Sequence, residues 1–201
     1  MPPEPAETTP DAISRRTLLA AATFVPLSAL LATAQTAPVL PPAQTKALSA
    51  FVDRLIPADE LGAGALDAGV MNYIERALAG AYANRRAGLV EGLLALDDYA
   101  RRKYGFVFSD LSADQRDAVI GAAETGSADG FANSSAFFAS VRSLTMEGMF
   151  GDPFYGGNRN YAGWDLIRYP GPRLAVGPPE QAMKVEIKPV RMSARGGDHA
   201  R

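Results

Sequence analysis

A chain of 201 residues, 47% hydrophobic and 21% charged, is long enough for one globular domain and short for two. Its formal net charge is −2, and residues 1–34 contribute −1 of it (Arg15 and Arg16 against Glu4, Glu7 and Asp11), so neither part has the charge to take nucleic acid or an anionic membrane surface as a partner. Cysteine is absent, which excludes thiolate zinc sites, iron–sulfur clusters, covalent c-type haem and disulfides; the only histidine, His199, lies third from the C-terminus, which argues against a Ser-His-Asp triad or a histidine metal site.

Residues 1–12 are rich in Pro, Glu, Thr and Asp and show no apolar period. Ser14-Arg15-Arg16-Thr17 then precedes an apolar run over residues 18–31 and the sequence Ala32-Thr33-Ala34. Paired arginines, a short apolar run and a small-x-small site are the three parts of an export signal, here spanning residues 1–34 with Ala32 and Ala34 at the cleavage site. The run is short for a membrane span and contains Pro26; a retained anchor or a buried helix fits the polar Gln35-Thr36 that follows less well. The Arg15-Arg16 pair is of the kind read by the twin-arginine translocase, so the mature chain is expected in the periplasm.

The region 35–173 reads as one helical domain. After a Pro-rich start, a helix near Ala43 presents Ala47, Phe51 and Leu55 in one row and stops at Pro57. A Gly- and Ala-rich connection leads to a second helix with Val70, Ile74, Ala77 and Leu78 inward, ending at Gly80. A third starts near Asn84 or Arg85, with Leu89, Leu93, Leu96 and Ala100 in register and Arg101, Arg102 and Lys103 at its C-terminal end. Phe106-Val107-Phe108 fits either a short strand or a packed loop. Ser112 with Gln115 is a capping-box pattern for a fourth helix running to about Glu124. A fifth begins at a Ser cap near Ser134 and carries Phe137, Phe138, Val141, Leu144 and Met149. The fold class expected is mainly α: about five helices around one core, then a turn-rich aromatic segment and an extended tail over residues 174–201, with a possible edge strand at 183–190.

The segment 151–173 concentrates the chain's unusual chemistry. Asp152-Pro153 initiates a turn, Gly156-Gly157-Asn158 tolerates positive φ, and Phe154, Tyr155, Tyr161, Trp164 and Tyr169 are spread among the turn residues. Its glycines do not match a phosphate loop. Such a segment is either folded onto the core or shown to a partner. For a partner contact the candidates are Asp152, Tyr155, Gly156, Gly157, Asn158 and Trp164, with Trp164 open to either role. The same aromatics with Asn158 and Asp165 could instead bind a sugar, and the rival reading is a secreted carbohydrate-binding protein or small enzyme using the Asp152–Trp164 loop. Asp53, Asp59, Glu60 and Asp67 read as surface or capping carboxylates rather than an acid–base set, and Glu147 as an ion-pair partner of Arg142 or Arg159. No catalytic, cofactor-binding or metal-binding residue is assigned.

Two stretches resemble a known family. FVDRLIPADELGAGALDAGVMNYIERALAG (51–80) and EGMFGDPFYGGNRNYAGWDLIRYPGP (147–172) are similar to gluconate 2-dehydrogenase subunit 3, the second through its Gly-Asp-Pro, Tyr-Gly-Gly-Asn and Gly-Trp elements, and the resemblance covers essentially the whole mature chain. It implies a non-catalytic small subunit of a membrane-associated periplasmic dehydrogenase. The implied partners are a large FAD-dependent flavoprotein and a multihaem cytochrome c subunit, so FAD and haem c are expected in those chains and not in this one.

Overall fold

The computed structural model of the chain describes residues 38–173, 175–181 and 187–196. The expected signal residues Arg15, Arg16, Ala32 and Ala34, and residues 183–186 of the possible edge strand, lie outside these.

Among the described residues there are six α-helices and no strand: α1 (Pro42–Leu55), α2 (Val70–Ala79), α3 (Arg86–Tyr104), α4 (Ala113–Glu124), α5 (Ser134–Phe150) and the short α6 (Ala162–Leu166). The mainly α reading holds; the sixth helix lies inside the turn-rich aromatic segment. Pro42 occupies the first turn of α1, where its missing N–H costs nothing, and Pro57 bars continuation beyond Leu55. The Ser112–Gln115 capping box forms in both directions, Ser112 Oγ accepting from the Gln115 N–H at 3.3 Å and Gln115 Oε1 from the Ser112 N–H at 3.0 Å. The 106–108 stretch is a packed loop: Phe108 opens a 3-10 turn (Phe108–Asp110) and is fully buried, while Phe106 is exposed. Buried Asp97 of α3 fastens that loop by accepting the Phe108 N–H at 2.9 Å.

Helix α5 is the axis of the bundle and packs against each of the other five helices. Its buried positions accordingly cover a broad arc, with Phe137, Phe138, Val141, Leu144, Thr145 and Met149 all inside. Phe51 of α1 sits at the focus of an aromatic group, with ring centroids 5.8 Å from Phe108, 5.8 Å from Phe137 and 6.3 Å from Phe138. The expected Ser cap of α5 is corrected: the cap position is Asn133, in the left-handed region at φ 58°, and Ser134 is already helical, its buried Oγ without a hydrogen-bond partner. Asn tolerates that backbone better than Ser, which is why it takes the boundary.

Candidate functional site

The C-terminal end of α5 and the start of α2 create the platform on which segment 151–169 is built. Gly148 on α5 lets Val70 and Tyr73 of α2 approach, since a Cβ there would stand 3.0 Å from the Tyr73 ring and 3.1 Å from Val70. The chain then leaves α5, makes a 3-10 turn at Pro153–Tyr155 capped by Asp152 Oδ1 on the Phe154 N–H (2.9 Å), and returns over the helix end. At Gly157 the backbone passes so close to Gly148 that a Cβ would meet the Gly148 carbonyl oxygen at 2.1 Å. Gly157 therefore serves close approach, and the left-handed positions of the turn are its neighbours Gly156 (φ 98°) and Asn158 (φ 47°).

Asn158 is the internal pin of this loop. It is fully buried; its N–H donates to the Gly148 carbonyl at 2.8 Å, its Nδ2 to the Gly151 carbonyl at 2.8 Å, and its Oδ1 accepts the Gly163 N–H at 2.9 Å. Trp164 is 7% exposed, with Nε1 donating to the Phe150 carbonyl at 2.9 Å and its ring 5.4 Å from Tyr161 and 4.9 Å from Tyr169. The side chains of Asn158 and Trp164 thus point into the chain's own fold, so of the two roles open to Trp164 the structure shows the packed one. Each carries polar atoms that satisfy loop backbone groups a partner could not reach. Of the six residues considered for a partner contact, Tyr155 is exposed, Asp152 and Gly156 are half-buried, and Gly157, Asn158 and Trp164 are buried.

A cleft of about 520 Å³ opens between α2 and this loop, lined by Tyr73, Arg76, Tyr82, Glu147, Asp152 and Tyr155 among others. Glu147 lies at its wall. Tyr73 Oη donates to Glu147 Oε2 at 2.5 Å and Ser143 Oγ to Oε1 at 2.8 Å, so its partners are hydroxyls and not Arg142 or Arg159 as the sequence suggests. Burial pushes the Glu147 carboxyl up, but the hydrogen bonds of Tyr73, Ser143 and Tyr82, with the positive charge of Arg85, outweigh it and hold the group below its usual range. Burial, then the hydrogen bond to Glu147 and its negative charge, push the Tyr73 hydroxyl well above the ordinary tyrosine range. At neutral pH the pair is therefore a phenol donating to a carboxylate. Tyr73 and Tyr82 escaped the sequence reading, although Tyr73 stands one turn from Val70 on the inward side of α2.

The tail also belongs to this region. Residues 187–196 run back across segment 152–173 as a strap and not as a free extended arm. Val190 N–H donates to the Pro170 carbonyl at 2.8 Å, Arg191 forms a two-bond ion pair with Asp165 at 2.7 and 2.8 Å, and the Ala194 N–H donates to Asp152 Oδ2 at 2.8 Å. Arg195 stacks over Phe154 and Tyr155, 5.6 Å from each ring. Asp152 thus spends its two oxygens on its own turn and on the strap. Among the earlier carboxylates, Asp59 Oδ1 accepts the Leu61 N–H at 2.8 Å and Asp67 Oδ2 the Gly64 N–H at 3.3 Å, which are turn-capping roles. Among the described residues no group of three or more His, Asp or Glu is placed to hold a metal ion, and no helix is long and apolar enough to cross a membrane.

The model of the family described as Gluconate 2-dehydrogenase subunit 3 matches residues 42–171. The match runs from the first residue of α1 to Gly171 and so takes in all six α-helices of the described residues, the 151–169 loop and the cleft, while the strap lies beyond it. No curated protein and no solved structure gives a significant match.

Proposed function

Since this chain belongs to the gluconate 2-dehydrogenase subunit 3 family, we propose that it is the non-catalytic small subunit of a periplasmic FAD-dependent sugar or sugar-acid dehydrogenase complex. It binds and stabilises the flavoprotein subunit, which carries the FAD; a multihaem cytochrome c subunit passes the electrons on. The Arg15-Arg16 signal takes the flavoprotein through the twin-arginine translocase with it, because a flavin is held only by a folded protein and export must then follow folding. The observation that carries this reading is the family match over residues 42–171. Its physical support is the 151–169 loop, whose backbone is fastened by buried hydrogen bonds before any partner arrives, so little ordering entropy remains to oppose association.

Replacing Arg15 and Arg16 by Lys is expected to strand both this chain and the flavoprotein in the cytoplasm; arrival of the flavoprotein in the periplasm in full amount would refute the carrier role. The purified mature chain is expected to show no flavin absorbance and no dye-linked dehydrogenase activity, and turnover by the chain alone would refute the non-catalytic assignment. A second reading, binding of a small polyol, is favoured by the three tyrosines and two carboxylates of the cleft. Saturable sugar binding by the chain alone, lost in Tyr155→Ala, would select it.

A further inference from the structure

We propose that residues 187–196 are a reversible latch on the cleft. Closed, the strap holds Asp152 and Tyr155, two residues of the cleft's loop wall. As ionic strength rises it opens as a unit, with the helices intact, and that wall is released. The latch is a property of this chain alone and does not depend on what occupies the cleft.

The strap is held with little burial. Of its ten residues only Ser193 is buried and Val190 half-buried, while the other eight, Ile187 and Met192 among them, are exposed. Its fastenings are polar. Arg173 Nη2 donates to the Lys188 carbonyl at 2.7 Å, the Val190 N–H to Pro170, Arg191 to Asp165 and the Ala194 N–H to Asp152, with Arg195 over the rings of Phe154 and Tyr155. The Arg191 and Asp165 side chains are 52% and 43% exposed, so their pair is weak and screened by salt. Fixing the backbone of one residue costs at least as much as one such exposed contact returns. A segment that must order ten residues, with no fully buried apolar side chain to offset that cost, opens locally and well below the free energy of unfolding the bundle.

Two residues tie that opening to the cleft. Asp152 is shared: its Oδ1 caps the loop turn at the Phe154 N–H and its Oδ2 takes the strap at the Ala194 N–H. Tyr155 is shared too, since it lines the cleft and lies beneath Arg195. Departure of Ala194 and Arg195 removes a contact from each, whereas Tyr73 and Glu147, on the helix-borne part of the wall, keep their own bond. A glycine seats the strap. A Cβ on Gly171 would run into the Val190 carbonyl oxygen, so the two backbones close only because the side chain is absent. By linkage, any occupant of the cleft that fixes Asp152 and Tyr155 also favours the closed strap.

Amide hydrogen exchange, resolved by residue in the purified chain, tests the latch. The Val190 and Ala194 amides are expected to exchange faster than those in the middle of α3 and α5. They are expected to speed up roughly fivefold when NaCl is raised from about 20 mM to about 0.5 M, the factor that corresponds to losing one exposed ion pair. The Phe154 and Tyr155 amides are expected to accelerate over the same range of salt while the helix amides stay as they are. Arg191→Gln combined with Arg195→Gln is expected to give the high-salt rates at low salt and to leave the thermal midpoint of the helices unchanged. Gly171→Ala dislodges the strap by shape instead of charge, and is expected to give fast exchange at Val190 and Ala194 at every salt concentration with the helical dichroism retained. Strap amides that exchange only as slowly as the helix core, with no response to salt, overturn the latch. Strap amides unprotected at low salt overturn its closed state. Opening of the strap that leaves the Phe154 and Tyr155 amides unmoved overturns its hold on the cleft.

Discussion

Asn158 should be the most sensitive polar residue of the chain. Its side chain joins the Gly151 carbonyl to the Gly163 N–H, at 2.8 and 2.9 Å, in a site closed to water. Asn158→Ala leaves both backbone groups unpaired, at about 1–3 kcal/mol each. It also places a Cβ residue without Asn's local compensation at φ 47°, for about 1 kcal/mol more. The expected loss is therefore about 3–7 kcal/mol, comparable to the whole stability of many domains. Asn158→Gly relieves the backbone but not the hydrogen bonds, so it should lie about 1 kcal/mol above Asn158→Ala. Urea unfolding followed by two signals tests this. Trp164, the only tryptophan, sits in the same loop and reports it by fluorescence, whereas far-ultraviolet dichroism reports the helices. In the variants the fluorescence transition should precede the helical one, because the pin holds the loop and the helices have their own core. A loss below about 0.5 kcal/mol in Asn158→Ala, the range of an ordinary surface substitution, would refute the reasoning; so would equal losses in Ala and Gly.

Trp164→Phe keeps the ring packing and forfeits the bond to the Phe150 carbonyl, for about 1 kcal/mol, while Trp164→Ala should cost about 3–5 kcal/mol; a thermal midpoint in Trp164→Ala within about 2 °C of wild type would show that the residue is not part of the fold. Gly92→Ala should destabilise despite a gain in helix propensity of about 1 kcal/mol, because its Cβ would lie 2.1 Å from the Phe137 ring; a stabilised variant would refute that packing. Stability should depend on pH through the cleft pair in both directions. The folded-state pKa of Glu147 is lowered from 4.5, so its contribution is full above that value and is lost as pH falls through the folded one. That of Tyr73 is raised from 10.0, so its contribution is full below that value and fades as pH rises above it. Unfolding of Tyr73→Phe across alkaline pH should show a flatter decline than wild type, and an identical decline would contradict the assignment.

Much of the bundle is legible in the sequence because it depends on local rules. Ser112 and Gln115 lie three apart and need only each other, and Pro42 and Pro57 bound α1 through their own ring geometry. The rows Leu89-Leu93-Leu96 and Val70-Ile74-Leu78 declare the inward faces of α3 and α2 by period alone. Glu147 is a different case. An arginine five residues before it and another twelve after are obvious partners in sequence, but the actual ones are Ser143, one turn back, and Tyr73, on another helix. Nothing in the spacing reveals which helix will lie alongside α5. The strap is illegible for the same reason. Asp165 and Arg191 are 26 residues apart, and only the folded path brings them together.

The aromatic loop shows where composition stops being informative. Gly, Asn, Tyr and Trp in a bending segment suit display to a partner, because rigid aromatics give area and glycines give access. They equally suit a loop that closes over its own helix end, because that also needs close backbone approach and aromatic cover. What separates the two is the use of the polar atoms. The Trp164 indole N–H and both ends of the Asn158 amide go to backbone groups of residues 150–163, so these side chains are spent on the loop itself. Residues without such bonds, Ile167 and Met192, remain exposed. The aromatics thus stiffen the loop from inside, a use that a motif-based reading cannot tell from display.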